Sequence, residues 1–530
     1  MTEDSADAVV VGAGPNGLVA ANLLADQGWD VLVLEATDHP GGAVRTAELI
    51  EAGFRNDVCS SFYPLAAVSP IIAGLGLDRY GLRWRHAPDV VAHVLPDDRC
   101  AVLSRDLDRT ATSVATFSPA DGDAWRAEFD FWCGIRDDLI DALFTPFPPV
   151  RAGAKWLRHQ GIAELLRFLR MTLMPARAHT NERFAGEGAK LLFAGNAFHA
   201  DLGPGHAGSA VFGWLMGMVG QEVGFPVPEG GASAITDALV QRLTDRGGRI
   251  ACGREVARVV VADGRALGVA DTEGGLVRAR RAVLAAVPAP TLYLNLVGAD
   301  HLPRRFLQDV QRFHWDDATV KVDWALSGPI PWRNPDAAGA GTLHLDHDLA
   351  GLGRYSAELG GGTVPDRPFL IAGQMTTSDP SRSPAGTESA WAYTHVPRGH
   401  DWSGDKLRHF TDRVEAVIER HAPGFTTRIR GRSIYGPHDL EEHNHNLVEG
   451  AINAGSAAAH QQLVFRPVPS LGRADTPVDR LYLAGASAHP GGAVHGGPGA
   501  NAARAALARN GLGGGLYHKA IDQAHRLLYR

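Results

Sequence analysis

Hydrophobic positions near the amino terminus follow strand spacing, then helix spacing, then strand spacing again. Residues 8–11 form a continuous apolar and β-branched run, and residues 18–26 carry apolar positions at helical intervals. A second apolar run follows at 30–34. Continuous apolar runs of this length are typical of buried parallel strands, so the pattern predicts a strand–helix–strand unit.

The same alternation recurs in the middle and near the end of the chain. Residues 232–246 have helical spacing, and runs of strand length follow at 249–252, 256–261, 266–271 and 282–286. Another short apolar run at 481–484 leads through a glycine-rich loop to an alanine-rich helix that begins near Gly499. Strands that alternate with helices predict an α/β fold with a parallel sheet.

Bulk composition narrows the class of protein. The chain has 530 residues, of which 45% are hydrophobic and 21% charged, and its net charge is −8. This length predicts more than one domain, and the acidic balance argues against nucleic acid as a partner. The four cysteines are not spaced for a disulfide framework or a metal site, and the acidic amino terminus does not resemble a secretory signal. We therefore expect no bound metal and a cytoplasmic protein.

The first strand–helix–strand unit contains a dinucleotide-binding motif. Gly12, Gly14 and Gly17 give G-x-G-x-x-G between the first strand and the helix, and Glu35 ends the second strand. Such glycines permit a tight turn, approach of a pyrophosphate and close helix–strand packing, while the acid accepts hydrogen bonds from the ribose. The residues predicted to contact the dinucleotide here are Gly12, Gly14, Pro15, Asn16, Gly17, Glu35 and Ala36.

A second glycine pair follows in the segment HPGGAVRT, where Gly42 and Arg45 offer another loop and a cation to the pyrophosphate. This extension resembles FAD-dependent amine oxidases and carotenoid desaturases, which makes FAD the expected cofactor. A surface salt bridge is the alternative role for Arg45. In FAD proteins of this type the backbone near Val256 brackets the adenine, although the strands around it are equally compatible with a purely structural unit.

The carboxyl-terminal stretch LYLAGASAHPGGAVHGGPGANAA completes the predicted cofactor site. Its glycines leave backbone exposed, and the following helix begins near the end of the loop. A flavin ring needs a second element beyond the amino-terminal turn, and a helix amino terminus stabilises negative charge as the ring is reduced. The residues predicted to lie against the flavin are Gly485, Ala486, Gly491, Gly492, Gly497 and Asn501.

Together the two end segments resemble the phytoene desaturase-related FAD-dependent oxidoreductases. The resemblance is specific at both ends of the chain and loose between them. It implies a Rossmann-like FAD-binding domain of the amine oxidase and glutathione reductase type, with a mixed α+β substrate domain inserted. We expect the FAD domain at 1–70, 225–300 and 471–530, and the substrate-binding or lid domain at 71–224 and 301–470.

The resemblance also implies a reaction. Non-covalent FAD would take a hydride at its N5 atom from an apolar substrate, such as a polyene or a lipid, and leave a double bond. No cysteine pair is spaced for disulfide reduction, and no second strand–G-x-G-x-x-G–helix unit offers a site for NAD(P)H. Reoxidation by dioxygen or a quinone is therefore expected.

Two histidines of the carboxyl-terminal loop, His489 and His495, are candidates for the base that takes the second proton. Their alternative role is to cap loop carbonyls or to pack beside the flavin. His199 is a candidate for the substrate pocket or for a helix cap. Arg466 is expected to position substrate or flavin, or to form a structural salt bridge.

Three other functions stay open. A flavin amine oxidase shares the fold and the front motifs, and Lys321 is the one lysine placed for that chemistry. A redox-neutral FAD-dependent isomerase and a non-catalytic FAD-bound interaction protein are the others. The segment 154–177 mixes apolar and basic residues at helical spacing, which predicts either contact with an anionic membrane surface or a lid helix packed on the protein itself.

Overall fold

The computed structural model describes residues 4–530. In chain order its strands are β1 (Asp4–Val11), β2 (Val31–Leu34), β3 (Thr46–Ala47), β4 (Asn56–Asp57), β5 (Trp84–Arg85), β6 (Asp89–Val94), β7 (Cys100–Leu103), β8 (Val227–Pro228), β9 (Arg249–Ala251), β10 (Val256–Ala262), β11 (Arg265–Asp271), β12 (Leu276–Ala285), β13 (Ala318–Leu326), β14 (Ala340–Leu345), β15 (Leu370–Gln374), β16 (Glu388–Val396), β17 (Ile429–Tyr435) and β18 (Leu481–Leu483).

The α-helices connect these strands or cover the sheets. In chain order they are α1 (Pro15–Ala25), α2 (Pro64–Val68), α3 (Pro70–Gly74), α4 (Leu107–Ala115), α5 (Asp121–Leu143), α6 (Val150–Leu173), α7 (Ala176–Arg183), α8 (Glu187–Ala197), α9 (Ser209–Val223), α10 (Ser233–Asp245), α11 (Arg304–Gln311), α12 (Leu349–Gly360), α13 (Met375–Ser378), α14 (Asp405–His421), α15 (Phe425–Arg428), α16 (Pro437–His443), α17 (Gly497–Asn510) and α18 (Gly514–Leu528).

The first sheet has a parallel core in the order β18–β12–β1–β2–β9. The hairpin β10–β11 joins the outer part of β12 in antiparallel pairing. Helices α1, α10 and α17 share one hydrophobic core with these strands, which explains why the strands read as continuous apolar runs. This is the α/β, Rossmann-like fold that the sequence predicts.

The second sheet runs in the order β17–β13–β16–β15–β14–β6–β7 and is antiparallel except between β14 and β6. One face carries small and aliphatic residues of β13 and β16 and packs on α14. The opposite face, the inner face, carries Lys321 and Asp323 of β13 beside Tyr393 and Trp391 of β16, because side chains alternate along each strand. A β-carbon at Gly195 of α8 would overlap side chains of this opposite face, so α8 packs closely against it.

The first sheet draws its strands from 4–34, 249–285 and 481–483, and the second from 89–103 and 318–435. The exact domain boundaries stay a prediction. Within residues 4–530, no helix is both long and apolar enough to cross a membrane.

The predicted basic amphipathic helix differs from the structure at both ends. The sequence pattern suggests a segment over 154–177, whereas α6 covers Val150–Leu173 and Pro175 separates it from α7. Gly161 has non-helical angles (φ 78°, ψ 170°) and divides α6 into two helical stretches. Glycine populates such positive φ values at little cost, so the break lies where the sequence allows it.

Candidate functional site

The carboxyl ends of three parallel strands meet at one edge of the first sheet. The strand β1 ends before Gly12, β2 ends before Glu35, and β18 ends shortly before Gly485. In open α/β sheets, ligands bind in the crevice beyond such ends. A cavity of about 570 Å³ opens there. Seven of the residues predicted to contact the dinucleotide line it: Gly12, Gly14, Glu35, Ala36, Gly42, Arg45 and Val256.

The glycine turn after β1 leaves the amino terminus of α1 open. Gly14 caps the helix without a side-chain hydrogen bond, and Pro15 occupies its first position. A β-carbon at Gly14 would meet no protein atom within 4 Å, so the space beside it is free. At Gly17 a β-carbon would overlap the carbonyl oxygen of Gly12, so only glycine permits this approach of helix to turn. The unpaired N–H groups of α1 are therefore available to phosphate oxygens.

The carboxylate of Glu35 is held at the cavity edge by backbone groups. Its Oε2 accepts a hydrogen bond from the Ala13 N–H at 2.8 Å, and its Oε1 accepts one from the Thr37 N–H at 3.0 Å. The residue is 8% exposed. A carboxylate has about four acceptor positions, so these contacts fix its orientation and leave capacity for ribose hydroxyls.

Gly42 and Arg45 bring a second loop to the same cavity. A β-carbon at Gly42 would lie 3.3 Å from the Cα of Gly14, so the two glycine loops are in direct contact. Arg45 contacts His39, and no carboxylate of residues 4–530 forms an ion pair with it. The guanidinium therefore has no competing partner for an anionic group in the cavity.

The carboxyl-terminal helix joins this site from the other end of the chain. A β-carbon at Gly499 of α17 would overlap the backbone carbonyl of Asn16 in α1, so the two helices touch at their amino-terminal turns. Gly496, with φ 73°, precedes Gly497 at the start of α17. None of the predicted flavin-contact residues lines the cavity described above, so they form a separate part of the site.

His495 has both ring nitrogens engaged within the loop. Its Nε2 lies 2.9 Å from the Gly492 carbonyl, and its Nδ1 accepts a hydrogen bond from the Gly497 N–H at 3.0 Å. The side chain is 2% exposed, and burial lowers its pKa to about 4. A neutral imidazole bound at both nitrogens has no free lone pair for a substrate proton, which favours the loop-capping alternative. Its catalytic role stays a prediction.

His489 differs from its neighbour because neither of its ring nitrogens has a partner in hydrogen-bonding geometry. It is 6% exposed and lies edge-on to Phe147. Burial, followed by the nearby charge of Arg466, lowers its pKa to about 4, although the Thr145 backbone lies close enough to oppose this shift without reaching hydrogen-bonding geometry. It is therefore a neutral imidazole with unused hydrogen-bonding capacity beside the glycine loop.

Arg466 is a fully buried cation held by carbonyl oxygens. Its Nη2 donates to the Ala486 carbonyl at 2.8 Å and its Nη1 donates to the Ser456 carbonyl at 3.0 Å. Burial lowers its pKa to about 10 despite the influence of Asp316. Arg466 forms no ion pair among the described residues, so the structural salt bridge considered for it is absent there. It instead clamps residues 453–456 to the glycine loop.

His199 lies in a separate group of histidines on the second sheet. Its Nε2 is 3.0 Å from the Nε2 of His344, whose ring is edge-on to His93. Burial lowers the pKa of His199 to about 4. The structure does not bring His199 into contact with the glycine loop.

Most side chains on the inner face of the second sheet could not be identified as site residues from the sequence. Lys321 is 3% exposed, and its Nζ donates to the Asp57 carbonyl at 3.0 Å and contacts Asp323. Trp391 and Tyr393 stack at 6.0 Å beside it. The alternation of polar and apolar residues in the segments ATVKVDWAL and ESAWAYTHV signals two-faced strands, but it does not reveal which face is directed towards the cofactor domain.

The donor set of the site fits FAD. The cavity offers free helix N–H groups, a carboxylate and an unpaired guanidinium, which match the phosphates and ribose of the adenosine half. Beyond it, the buried Asn16 Oδ1, both nitrogens of His489 and the Nε of Arg466 have no protein partner. Buried polar groups are almost always satisfied, so these atoms mark a position for a polar ligand. The residues that would hold the flavin end are therefore those of the carboxyl-terminal loop.

Comparisons with known proteins agree with this geometry. Residues 10–71 match the model of an NAD(P)-binding Rossmann-like domain, and residues 163–507 match that of the flavin containing amine oxidoreductases. No metal-binding group of three or more His, Cys, Asp or Glu residues is found between residues 4 and 530.

Several curated proteins are similar along nearly the whole chain. Pyridine nucleotide-disulfide oxidoreductase domain-containing protein 2 of Rattus norvegicus is 28% identical over 94% of this chain and 92% of its own. A neurosporene-forming phytoene desaturase of Rhodobacter capsulatus is 25% identical over 93% and 92%. A limonene dehydrogenase subunit of Castellaniella defragrans is 24% identical over 96% and 95%.

Solved structures show the same fold. An oxidoreductase from Methanosarcina mazei has a TM-score of 0.60 at 17% identity, covering 94% of this chain and 99% of its own. Cyclohexylamine oxidase from Brevibacterium oxydans has a TM-score of 0.57 at 16% identity, covering 94% and 98%. At these identities the likeness is one of fold.

Proposed function

The chain belongs to the flavin containing amine oxidoreductase family and is an FAD-dependent oxidoreductase related to phytoene desaturases, and from that premise we propose that it dehydrogenates an apolar hydrocarbon substrate. The observation that supports the redox chemistry is the contact of α17 with α1, which brings together the two segments predicted to bind the cofactor. The substrate class is supported by relatives named for phytoene and limonene, which align over more than nine tenths of this chain.

The bound flavin would supply the hydride acceptor. The residues of this chain would hold it without a covalent bond, through helix N–H groups, Glu35, Arg45 and the glycine loop. Arg466 fixes the loop by binding the Ala486 carbonyl, and buried His489 excludes water from one side of it. Exclusion of water and alignment of the reacting C–H bond would provide most of the rate.

Electron transfer onward to dioxygen or a quinone is part of the proposal. We recognise one strand–G-x-G-x-x-G–helix motif in residues 4–530, and it belongs to the predicted FAD site. The absence of a second such motif among these residues supports an acceptor other than a nicotinamide cofactor.

Amine oxidation is a second candidate, and one observation favours it. Lys321 lies buried on the inner face of the second sheet, beside Trp391 and Tyr393. A lysine and aromatic rings on this inner face suit an amine oxidase better than a hydrocarbon dehydrogenase. The two candidates differ in which substrate reduces the flavin.

Anaerobic mixing of the purified yellow protein with phytoene, limonene, putrescine and cyclohexylamine tests the proposal. We expect loss of the visible flavin absorbance with a hydrocarbon and none with an amine. Bleaching by an amine alone would favour the second candidate. Full FAD occupancy without bleaching by any of these or related compounds would favour a non-catalytic FAD-bound protein or a redox-neutral isomerase.

We also propose that α6 contacts an anionic membrane surface, from which an apolar substrate would enter. Large apolar side chains of this helix are strongly exposed, with Ile162 at 67% and Leu166 at 60%. The basic residues Arg151 and Arg158 form no ion pair among the described residues. An apolar stripe flanked by unpaired cations matches the interface of an anionic bilayer.

Sedimentation with vesicles containing phosphatidylserine tests this contact. The double variant Ile162→Gln and Leu166→Gln should reduce binding at least about fivefold, because each loses the burial of an apolar side chain. Leu267→Gln, at a 41% exposed position of β11, is the matched control. Equal binding of all three proteins would exclude α6 as the contact.

A further inference from the structure

His395, near the end of β16, lies in a group of buried acidic side chains. Its Nδ1 is 2.8 Å from Asp201 Oδ1, and its Nε2 is 3.0 Å from the Phe198 carbonyl. The contact with Asp201 is an ion pair outside hydrogen-bonding geometry, and a carboxylate at this distance favours the protonated, positively charged imidazole. Burial alone would lower its pKa, but the charges of Asp201 and Asp317 outweigh burial and raise the pKa to about 9.

Two further carboxylates, Asp316 and Asp317, precede β13 beside this pair. Asp316 accepts hydrogen bonds from the Asn453 N–H at 2.6 Å and the Gly455 N–H at 2.8 Å. Asp317 is half-buried and accepts no hydrogen bond from residues 4–530. Burial and then the charge of Asp201 raise the pKa of each to about 6. Asp317 is therefore the open carboxylate of the group.

Thr319 supplies an independent sign of a ligand at this position. It pairs with His395 across the strands and shares the inner face with Asp317, two residues earlier. The residue is 3% exposed, yet its hydroxyl has no hydrogen-bond partner. A buried hydroxyl without a partner implies a molecule that is not part of the chain, either a substrate or a water.

The backbone around this group is strained. Asp201 has φ 59° and Ala454 has φ 51°, values that residues with a β-carbon seldom adopt. Such strain persists where surrounding contacts impose it, and it concentrates at functional sites.

One residue connects the acidic group to the glycine loop. A β-carbon at Gly492 would lie 2.8 Å from Asn453 Oδ1, and the Nδ2 of Asn453 donates to Asp201 Oδ2 at 3.4 Å. The group of His395, Asp201 and Asp317 is thus separated by a single side chain from the loop predicted to hold the flavin.

We propose that Asp317 is the proton acceptor of the dehydrogenation and that His395 and Asp201 are positioning residues that act on it electrostatically, since neither bonds to it. This inference rests on the proposed function. The substrate loses a hydride, with the electron pair of one C–H bond, to the flavin, which is reduced. In the same step the adjacent C–H bond breaks, its electrons form the C=C bond, and its proton forms an O–H bond with the Asp317 carboxylate, so the rate of flavin reduction depends on this base.

Two other candidates for this proton are less suitable, whereas His489 keeps free ring nitrogens beside the glycine loop and its catalytic role stays a prediction. Both nitrogens of His495 are bound within the loop, and both oxygens of Asp316 accept backbone N–H groups. Asp317 combines an unpartnered carboxylate with a position on the inner face of the second sheet.

Substitution of Asp317 tests the assignment through the rate of flavin reduction. Asp317→Asn should slow anaerobic reduction on the order of 100-fold, the usual contribution of a general base. Deuterium at the carbon that loses the proton should give a larger isotope effect in this variant than in the wild type. Asp317→Glu should recover part of the rate, and Asp300→Asn, at an exposed position, should leave it unchanged.

The pH profile gives a second test. The groups that act on Asp317 are Asp201, Asp316, His395 and Arg398. Asp317 must be ionised to accept a proton, so the wild-type reduction rate should rise with pH through about 6 and level off above it. Asp317→Asn should lose this rise.

Nuclear magnetic resonance of the His395 imidazole gives a readout that needs no substrate. The wild-type ring should keep both protons up to about pH 9, and Asp317→Asn should lower that midpoint because it removes a negative charge. An unchanged midpoint would show that Asp317 does not act on His395 and would overturn the inference.

The outcomes separate this inference from the proposed function. If an amine but no hydrocarbon reduces the wild-type flavin, the proposed function fails, and the same Asp317 comparison is made with that amine. If the wild type is reduced and Asp317→Asn matches its rate, isotope effect and pH profile, the inference fails while the proposed function stands. If no compound reduces the flavin, both fail.

Discussion

The edge of the first sheet offers glycine-turn backbone to its cavity beside the side chains of Glu35 and Arg45, whereas the inner face of the second sheet presents side chains alone. At the first sheet, Gly14 is open to the cavity and the N–H groups of α1 are unpaired. At the second sheet, Lys321, Tyr393 and His395 stand in neighbouring rows and are largely buried. Backbone recognises a common cofactor, and side chains adapt the same fold to a particular reaction.

Substitution of Gly14 should have the largest effect on the backbone-lined region. Gly14→Val should leave the fold intact, because a β-carbon there meets no protein atom, but the side chain would occupy the space of a phosphate. We expect at least about 100-fold weaker FAD binding, equivalent to the loss of about 3 kcal/mol of charge-assisted hydrogen bonds. The FAD absorbance per protein after dialysis measures it. Gly205→Val, at an exposed turn with equal free space, should keep its FAD; equal losses in both would refute the assignment.

The link between the two regions can be weakened at Arg466. Arg466→Met would leave the carbonyls of Ala486 and Ser456 without a donor in partly buried positions. The free energy of unfolding in urea should fall by about 2 kcal/mol, the cost of two unsatisfied, partly buried acceptors. Arg466→Lys keeps a charge and should cost about half as much. Equal stability of Arg466→Met and the wild type would show that the clamp is dispensable.

The pH dependence of stability tests the protonation state of His495 in the folded protein. Burial lowers its folded pKa to about 4, below its unfolded value of about 6.5, so the unfolded chain binds the proton more readily. Its stability contribution is complete above pH about 6.5 and is lost as the pH falls towards 4, at up to about 1.4 kcal/mol per pH unit.

Unfolding midpoints across this range measure the effect. Wild type should lose stability more steeply on acidification than His495→Asn, so the difference between them should shrink. His301→Asn, at an exposed position, should run parallel to the wild type. A constant difference between His495→Asn and wild type would indicate that His495 titrates normally in the folded protein.

The smallest expected effect lies at Glu35. Glu35→Gln retains one oxygen acceptor but removes the charge that strengthens hydrogen bonds to ribose hydroxyls. FAD should bind about tenfold more weakly, which corresponds to about 1.4 kcal/mol. Calorimetric titration of the apoprotein measures this, with exposed Glu48→Gln as the control. Unchanged affinity would place the ribose elsewhere.

The cofactor half of the site could be predicted because its geometry is local. Gly12, Gly14 and Gly17 are close in the chain, and their spacing follows from one turn and one helix. The acidic group could not be predicted in this way. Asp201, Asp317 and His395 come from three distant segments, and only the pairing of β13 with β16 brings the last two together. The roles of His489 and His495 depended on ring orientation, which spacing does not encode.

The most direct test of the account is the product of one anaerobic turnover with a hydrocarbon that reduces the flavin. Mass spectrometry of the product, together with the loss of flavin absorbance, measures hydrogen removed per flavin. The account predicts a product lighter by two hydrogen atoms for each flavin reduced. A product of unchanged mass with the flavin still oxidised would contradict it and identify a redox-neutral isomerase.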